Sequence, residues 1–86
     1  MKTNIPQLGF TYETNNLLWG RCLNPWNKDK TSGGSSGGEA VSLATKMSVI
    51  GVGNDYGGSV RIPAHFCGVC ALLPSTNRIM INEAIT

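Results

Sequence analysis

Charged residues are scarce in this 86-residue chain, and no cluster of one sign stands out. They make up 14% of the sequence, and the formal net charge at pH 7 is only +2. A nucleic-acid-binding surface needs lysines and arginines gathered on one face, so the sequence predicts no nucleic-acid partner. The apolar content of 41% is typical of a folded protein rather than of a disordered, highly charged tail.

Long hydrophobic runs are lacking, and cysteines are few. No stretch approaches the ~20 apolar residues of a membrane span, and the first residues do not form a secretory signal. The three cysteines, Cys22, Cys67 and Cys70, are too sparse for a disulfide-stapled secreted domain and indicate a reducing compartment. We therefore expect an intracellular protein, cytoplasmic or membrane-associated, and the sequence leaves open a membrane anchor elsewhere in a longer parent protein.

Histidine is nearly absent, which argues against a metal site. His65 is the only one, and together with Cys67 and Cys70 it imitates a cluster of metal ligands. A structural zinc site takes four ligands, however, and Cys22 is far away along the chain. We expect buried, apolar cysteines here. The sequence predicts neither a metal nor a cofactor.

Glycine is abundant by contrast, and two clusters of glycine also contain serine. GGSSGG spans residues 33–38, and YGGS spans residues 56–59. The first cluster has the outer spacing of a phosphate-binding loop, but Glu39 stands where that loop needs a lysine. Gly51 and Gly53 begin a dinucleotide fingerprint, but Tyr56 occupies its third glycine position. A glycine-loop nucleotide-binding module therefore stays the weaker interpretation.

Apolar spacing predicts short elements around these clusters. The predicted elements are a helix over 36–47, a strand over 49–52, a helix over 59–66 and a strand over 69–73. Ser36 and Glu39 have the spacing of a capping box, which predicts the start of the first helix. Residues 1–32 are rich in Asn, Thr, Pro and Gly and are expected to be mostly loop.

Residues 33–75 resemble the amidase signature family. GGSSGG, GVGNDYGGSVR and IPAHFCGV reproduce the characteristic run of that family in order, and Ser35 and Ser59 lie 24 positions apart, as in its pattern. Upstream, KTNIPQLGFTYETNN and GRCLNPWNK are similar to fatty acid amide hydrolases, so the resemblance extends over residues 2–78.

The resemblance implies a Ser-Ser-Lys catalytic set. Ser59 would be the nucleophile, and Ser35, which would follow a cis peptide bond at Gly34, would be the bridging serine. The expected oxyanion hole consists of the backbone N–H groups of Tyr56, Gly57, Gly58 and Ser59, so that a side chain at 57 or 58 would spoil it. The expected supports of the two loops are Ser36, Asp55 and Arg61.

The resemblance also implies the fold and the reaction. The fold would be α/β, with a mixed β-sheet between helices, in a domain several times longer than this chain. Residues 1–86 would be a partial amidase domain that lacks the lysine-bearing N-terminal part and the C-terminal part. The reaction would be hydrolysis of a small-molecule amide, most similar to a fatty acid amide, through an acyl-enzyme.

A non-catalytic fragment is the alternative from another class. None of the four lysines present, Lys2, Lys28, Lys30 and Lys46, is a credible catalytic base. We therefore expect the 86 residues alone to be inactive. We also expect them to be marginally stable, because they would expose apolar faces that the remainder of the domain covers. The sequence does not predict the oligomeric state.

Overall fold

The computed structural model of the protein describes residues 1–79, and its helices and strands are short. In chain order they are β1 (Asn15–Asn16), β2 (Gly20–Arg21), α1 (Gly37–Ala44) and α2 (Arg61–Cys67). The two helices pack against each other, and long loops connect the elements. Within residues 1–79 no helix has the length and apolarity needed to cross a membrane.

The hairpin of β1 and β2 forms where the sequence predicts loop. The strands are antiparallel, with Asn15 opposite Arg21 and Asn16 opposite Gly20. The side-chain oxygen of Asn16 accepts hydrogen bonds from the backbone N–H groups of Leu18, at 3.1 Å, and Trp19, at 2.7 Å. This is the usual way in which an asparagine closes a tight turn on itself. The hairpin is therefore made by its turn rather than by a hydrophobic strand pattern.

Helix α1 confirms the predicted helix, but its N-terminus is capped differently from the prediction. Ser36 is the N-cap residue, yet its side chain makes no capping hydrogen bond. The Glu39 carboxylate instead accepts a hydrogen bond from the Thr3 hydroxyl, at 2.9 Å. The predicted capping box is therefore wrong, because the Glu39 carboxylate binds Thr3 rather than the start of the helix. The helix ends at Ala44, three residues earlier than predicted, and Lys46 beyond it has a φ of 61°.

Helix α2 confirms the second predicted helix, shifted by one or two residues. Pro63 lies in its first turn, where the missing N–H costs little. At its other end, Gly68 adopts a left-handed conformation with φ of 72°. The side chains of Asn24 and Trp26 donate hydrogen bonds to the last carbonyl groups of α2, at 2.9 and 2.7 Å. A loop from the first third of the chain thus closes the C-terminus of α2.

The two predicted strands are wrong. Residues 49–52 and 69–73 form no ladder in the structure, and Val49 and Val52 are 99% and 91% exposed. A β-branched run becomes a strand only beside another strand, and none lies alongside these runs within residues 1–79. The expected mixed sheet is accordingly not formed by the part of the chain that the structure describes.

The core is small and is lined by polar as well as apolar side chains. Ala40, Ala64 and Cys67 are the buried hydrophobic residues, and Thr14 and Ser32 are fully buried beside them. Burial raises the pKa of the Cys67 thiol to about 11, with the nearby Cys22 as a lesser cause, so Cys67 is an inert core residue. Cys70 is exposed, and the prediction that the cysteines are buried is wrong for it.

Candidate active site

The two glycine clusters meet in space. The backbone N–H of Ser36 donates a hydrogen bond to the carbonyl oxygen of Ser59, at 3.0 Å. Ser35 and Ser59 are both buried, at 8% and 9% exposure. Ser35 and Ser59 are 24 positions apart in sequence, but they lie on adjoining loops. Ser35 comes shortly before α1, and Ser59 comes shortly before α2.

The hydroxyl groups of these two serines reach the surface. Within residues 1–79, every buried side-chain nitrogen or oxygen atom has a hydrogen-bond partner. The Oγ atoms of Ser35 and Ser59 make no hydrogen bond in that part of the chain, so neither atom belongs to the buried set. Nor does a hydrogen bond join the two Oγ atoms directly. Both serine residues are thus buried, while their hydroxyl groups have no hydrogen-bond partner within residues 1–79.

The loop that carries Ser35, residues 33–36, lies against residues 11–13. The peptide bond between Gly34 and Ser35 is cis, as the family resemblance implies. A Cβ atom at Gly34 would lie 2.6 Å from the carbonyl oxygen of Thr11 and 2.8 Å from the backbone nitrogen of Glu13. Backbone atoms cannot move aside as a flexible side chain can. Glycine at position 34 is therefore required by this close approach.

Thr14 is the residue of this site that sequence reasoning missed. It is fully buried, and its hydroxyl donates to the carbonyl oxygen of Gly33 at 2.9 Å. The hydroxyl oxygen of Thr14 in turn accepts a hydrogen bond from the backbone N–H of Gly37, at 3.0 Å. One side chain thus holds both ends of the loop that carries Ser35. No signal in a single sequence distinguishes Thr14 from the other polar residues of the first third.

The Ser59 loop is organised by the Asp55 carboxylate. It accepts hydrogen bonds from the backbone N–H groups of Gly58, Val60 and Arg61, at 2.8, 3.2 and 3.1 Å. The Arg61 guanidinium adds two more at 3.0 Å each. The Asp55 side chain is 1% exposed, whereas that of Arg61 is 55% exposed. Arg61 and these amides hold the pKa of Asp55 well below its usual range, so Asp55 is a carboxylate at neutral pH.

Three of the four amides predicted to form an oxyanion hole have no acceptor. The N–H groups of Tyr56, Gly57 and Ser59 make no hydrogen bond within the described residues, whereas that of Gly58 is taken by Asp55. Unpaired amides next to a serine hydroxyl can bind an oxyanion. Within residues 1–79, three of these amides are thus without an acceptor, and the Gly58 amide is engaged by Asp55.

The two glycines of this loop differ in what they require. Gly58 has a φ of 115°, and a Cβ atom there would lie 2.6 Å from Cδ1 of Ile62. At Gly57 the φ angle is not in the left-handed region, and a Cβ atom would meet only the hydroxyl of Tyr12, at 3.6 Å. The expectation that a side chain at either position disturbs the loop therefore finds a packing reason at 58 only.

An open, largely apolar cleft of about 510 Å³ adjoins the Ser59 loop. Its lining residues are Tyr12, Gly57, Gly58, Arg61, Ile62, His65 and Phe66. His65 is exposed and pairs with Phe66, with ring centroids 6.1 Å apart. Within residues 1–79, no group of three His, Cys, Asp or Glu side chains is placed to hold a metal ion. The polar side chains that line the cleft are those of Tyr12, Arg61 and His65, and the Ser59 loop adjoins them.

The sequence of the chain matches a known protein family. A sequence model of the amidase family matches residues 1–83. The chain is 51% identical over 79 residues to vitamin D3 hydroxylase-associated protein of Gallus gallus, covering 92% of this chain and 17% of that protein. It is 49% identical over 77 residues to fatty-acid amide hydrolase 1 of Sus scrofa, covering 90% and 13%. The chain thus spans only 13–17% of the length of these curated relatives.

The fold of the chain is also found in a solved structure. The structure of 6-aminohexanoate cyclic dimer hydrolase complexed with substrate superimposes with a TM-score of 0.75 at 46% sequence identity. The match covers 78% of this chain and 14% of that chain. The expectation of an α/β fold of the amidase signature type is confirmed: the short hairpin and the two helices correspond to one part of it.

Proposed function

This chain belongs to the amidase family, and on that premise we propose that it forms the catalytic centre of a serine hydrolase that cleaves the carbon–nitrogen bond of amides. The observation that carries the proposal is the joining of the Ser35 and Ser59 loops by the 3.0 Å hydrogen bond from Ser36 to Ser59. Both serines are buried and their hydroxyls have no hydrogen-bond partner within residues 1–79, so the mechanism requires the two Oγ atoms to come within hydrogen-bond distance when substrate binds.

In the proposed mechanism, Ser59 is the nucleophile and Ser35 passes protons. The Ser59 oxygen bonds to the amide carbonyl carbon as its proton moves to Ser35 and the Ser35 proton moves to a base. The amides of Tyr56, Gly57 and Ser59 hold the resulting oxyanion. Each donor of this kind is worth ~3 kcal/mol of transition-state stabilisation. The Gly58 amide instead anchors the loop to Asp55.

The second half of the proposed reaction runs the relay in reverse. The tetrahedral intermediate collapses, the carbon–nitrogen bond breaks, and Ser35 gives its proton to the leaving amine while the base returns one to Ser35. Water then attacks the acyl-enzyme, releases the carboxylic acid and restores Ser59. Without protonation the amine is a poor leaving group, so Ser35 matters as much in this step as in the attack.

The base is proposed to be a lysine supplied by a longer protein of which these residues are one part. A lysine accepts a proton at neutral pH when burial or a neighbouring positive charge lowers its pKa. Lys2, Lys28, Lys30 and Lys46 are all exposed in the structure, and none of them lines the cleft beside Ser59. We therefore expect the 86 residues alone to lack amidase activity.

The proposed substrates are aliphatic amides, with fatty acid amides as the first choice. Fatty-acid amide hydrolase 1 is among the relatives, and 6-aminohexanoate cyclic dimer hydrolase is among the similar structures. The apolar cleft beside Ser59 suits an aliphatic acyl group. A membrane location of the complete enzyme would suit a long acyl chain.

The test is hydrolysis by the complete protein of a long-chain primary amide, together with labelling by a serine-directed phosphonate. We expect turnover and a single label, both abolished in Ser59→Ala. Ser75→Ala is the matched control, because Ser75 is an exposed serine that belongs to neither glycine cluster, and we expect this variant to retain both turnover and labelling. Absence of turnover and of labelling in the unaltered complete protein would refute the proposal and favour the non-catalytic interpretation.

A further inference from the structure

The N-terminus of α1 is capped by residues that are distant in sequence. The first N–H groups of a helix have no partner inside it. The N–H of Gly37 donates to the hydroxyl of Thr14, and the N–H of Gly38 donates to the carbonyl oxygen of Asn4, at 3.1 Å. Ser36, the N-cap residue, contributes no side-chain hydrogen bond. The cap that α1 lacks locally is thus supplied by the N-terminal segment.

Thr14 uses its hydroxyl in both directions at once. As an acceptor it binds the N–H of Gly37, and as a donor it binds the carbonyl oxygen of Gly33, with the carbonyl oxygen of Ser35 also in reach at 3.3 Å. The contact with Gly37 is so close that a Cβ atom at that position would collide with the hydroxyl. The Thr14 hydroxyl is therefore hydrogen-bonded to the backbone on both sides of Ser35, at Gly33 before it and at Gly37 after it.

Removing this hydroxyl would free both ends of the loop. The N–H of Gly37 and the carbonyl of Gly33 would lose a buried partner, and buried polar groups without partners are strongly disfavoured. The loop would shift to recover those hydrogen bonds elsewhere, and Ser35 would move with it. Small displacements of a proton-transferring group are costly in rate, because proton transfer needs hydrogen-bond distance.

We infer that Thr14 is a positioning residue for the proton relay of Ser35. The inference rests on the proposed function, since it assigns Thr14 to the reaction proposed for Ser35 and Ser59. Thr14 does not reach the reacting atoms in this assignment. Its fully buried hydroxyl sets where the Ser35 hydroxyl lies when a proton passes to the leaving amine.

The test compares an amide with the methyl ester of the same acid in the complete protein. An amine must be protonated as it leaves, whereas the alcohol of an ester depends less on that proton, so a displaced Ser35 slows amide hydrolysis more than ester hydrolysis. In Thr14→Val, which keeps the shape but removes both hydrogen bonds, we expect the amide-to-ester ratio of kcat/KM to fall about tenfold or more. Thr14→Ser keeps the hydroxyl, and we expect it to retain the ratio within about threefold.

Ser42→Ala is the matched control. Ser42 is also buried and its hydroxyl also makes two hydrogen bonds, to Glu39 at 2.9 Å and to Ser48 at 2.8 Å, but it lies within α1 rather than beside Ser35. We expect this variant to keep the ratio even if it is less stable. A merely structural role of Thr14 would lower amide and ester hydrolysis equally, as a smaller folded fraction does.

The outcomes separate this inference from the proposed function. If the unaltered complete protein hydrolyses neither substrate, the proposed function itself has failed. If it is active and Thr14→Val keeps the amide-to-ester ratio, the positioning role is overturned while the proposed function stands. If Thr14→Val does not fold, Thr14→Ala removes the same hydroxyl and takes its place, with the same expected fall in the ratio; a fall of about tenfold in Thr14→Ser, which keeps the hydroxyl, would overturn the assignment as well.

Discussion

Replacing Gly58 by alanine is expected to destabilise the Ser59 loop, while the same replacement at Gly57 is not. At Gly58 the φ angle is 115°, a conformation that residues with a Cβ atom rarely adopt, and the added Cβ would lie 2.6 Å from Cδ1 of Ile62. At Gly57 neither condition holds, since the added Cβ would make only an ordinary contact with Tyr12, at 3.6 Å. The two substitutions are chemically identical and adjacent in sequence.

The magnitude follows from two contributions. A residue other than glycine in a sparsely populated backbone region costs about 1–3 kcal/mol. Moving the end of the Ile62 side chain out of its preferred rotamer adds about 1 kcal/mol. We therefore expect Gly58→Ala to lower the free energy of unfolding by about 2–4 kcal/mol. For Gly57→Ala we expect a change within about 0.5 kcal/mol, as for an ordinary surface substitution.

The assay is denaturant unfolding of the complete protein, with both variants measured beside the unaltered chain. The rate of phosphonate labelling at Ser59 gives a second reading, and we expect it to fall in Gly58→Ala because the loop that carries Ser59 is displaced. Equal shifts of the unfolding midpoint for the two variants would refute the reasoning. A larger shift for Gly57→Ala would refute it as well, because the backbone of that residue needs no glycine.

The remaining predictions concern the anchors of α2. Because hydrogen bonds from the paired arginine lower the pKa of Asp55, its contribution to stability is complete above the ordinary value of 3.8 and is lost as the pH falls below it. Thermal unfolding between about pH 2 and pH 6 should therefore depend less on pH in Asp55→Asn, and an unchanged dependence would contradict this. Trp26→Phe removes the 2.7 Å hydrogen bond to the end of α2 and should cost about 1 kcal/mol of unfolding free energy. Trp19→Phe, which breaks no side-chain hydrogen bond within residues 1–79, should cost less, and equal losses would count against the anchor.

The helices could be predicted from sequence because their signals are local. Ala40 and Leu43 recur at helical spacing in α1, and Pro63 stands where a helix tolerates it in α2. The position where α1 starts could be predicted within one residue, but the partners that cap it could not. The first N–H group of the helix is satisfied by Thr14, 23 positions earlier, and no local pattern contains that partner. Distant hydrogen bonds to backbone groups have no sequence signature.

The two strand predictions failed for a related reason. The β-branched run at 49–52 has the composition of a buried strand, but Val49 is 99% exposed and has no neighbouring strand within residues 1–79. Strand formation depends on a partner, whereas helix formation depends on the segment itself. The identity of the site serines came from family resemblance, and the structure adds what the resemblance did not contain, namely the buried Thr14 hydroxyl and the engagement of the Gly58 amide by Asp55.

The most direct test of the central claim is a crystal structure of the complete protein with a phosphonate bound covalently. We expect the phosphorus on the Oγ atom of Ser59, with the Oγ atom of Ser35 within hydrogen-bond distance of it. We expect the phosphonyl oxygen about 2.7–3.1 Å from the amide nitrogens of Tyr56, Gly57 and Ser59. A phosphonate bound to another residue, or a Ser35 hydroxyl turned away from Ser59, would contradict the proposed mechanism.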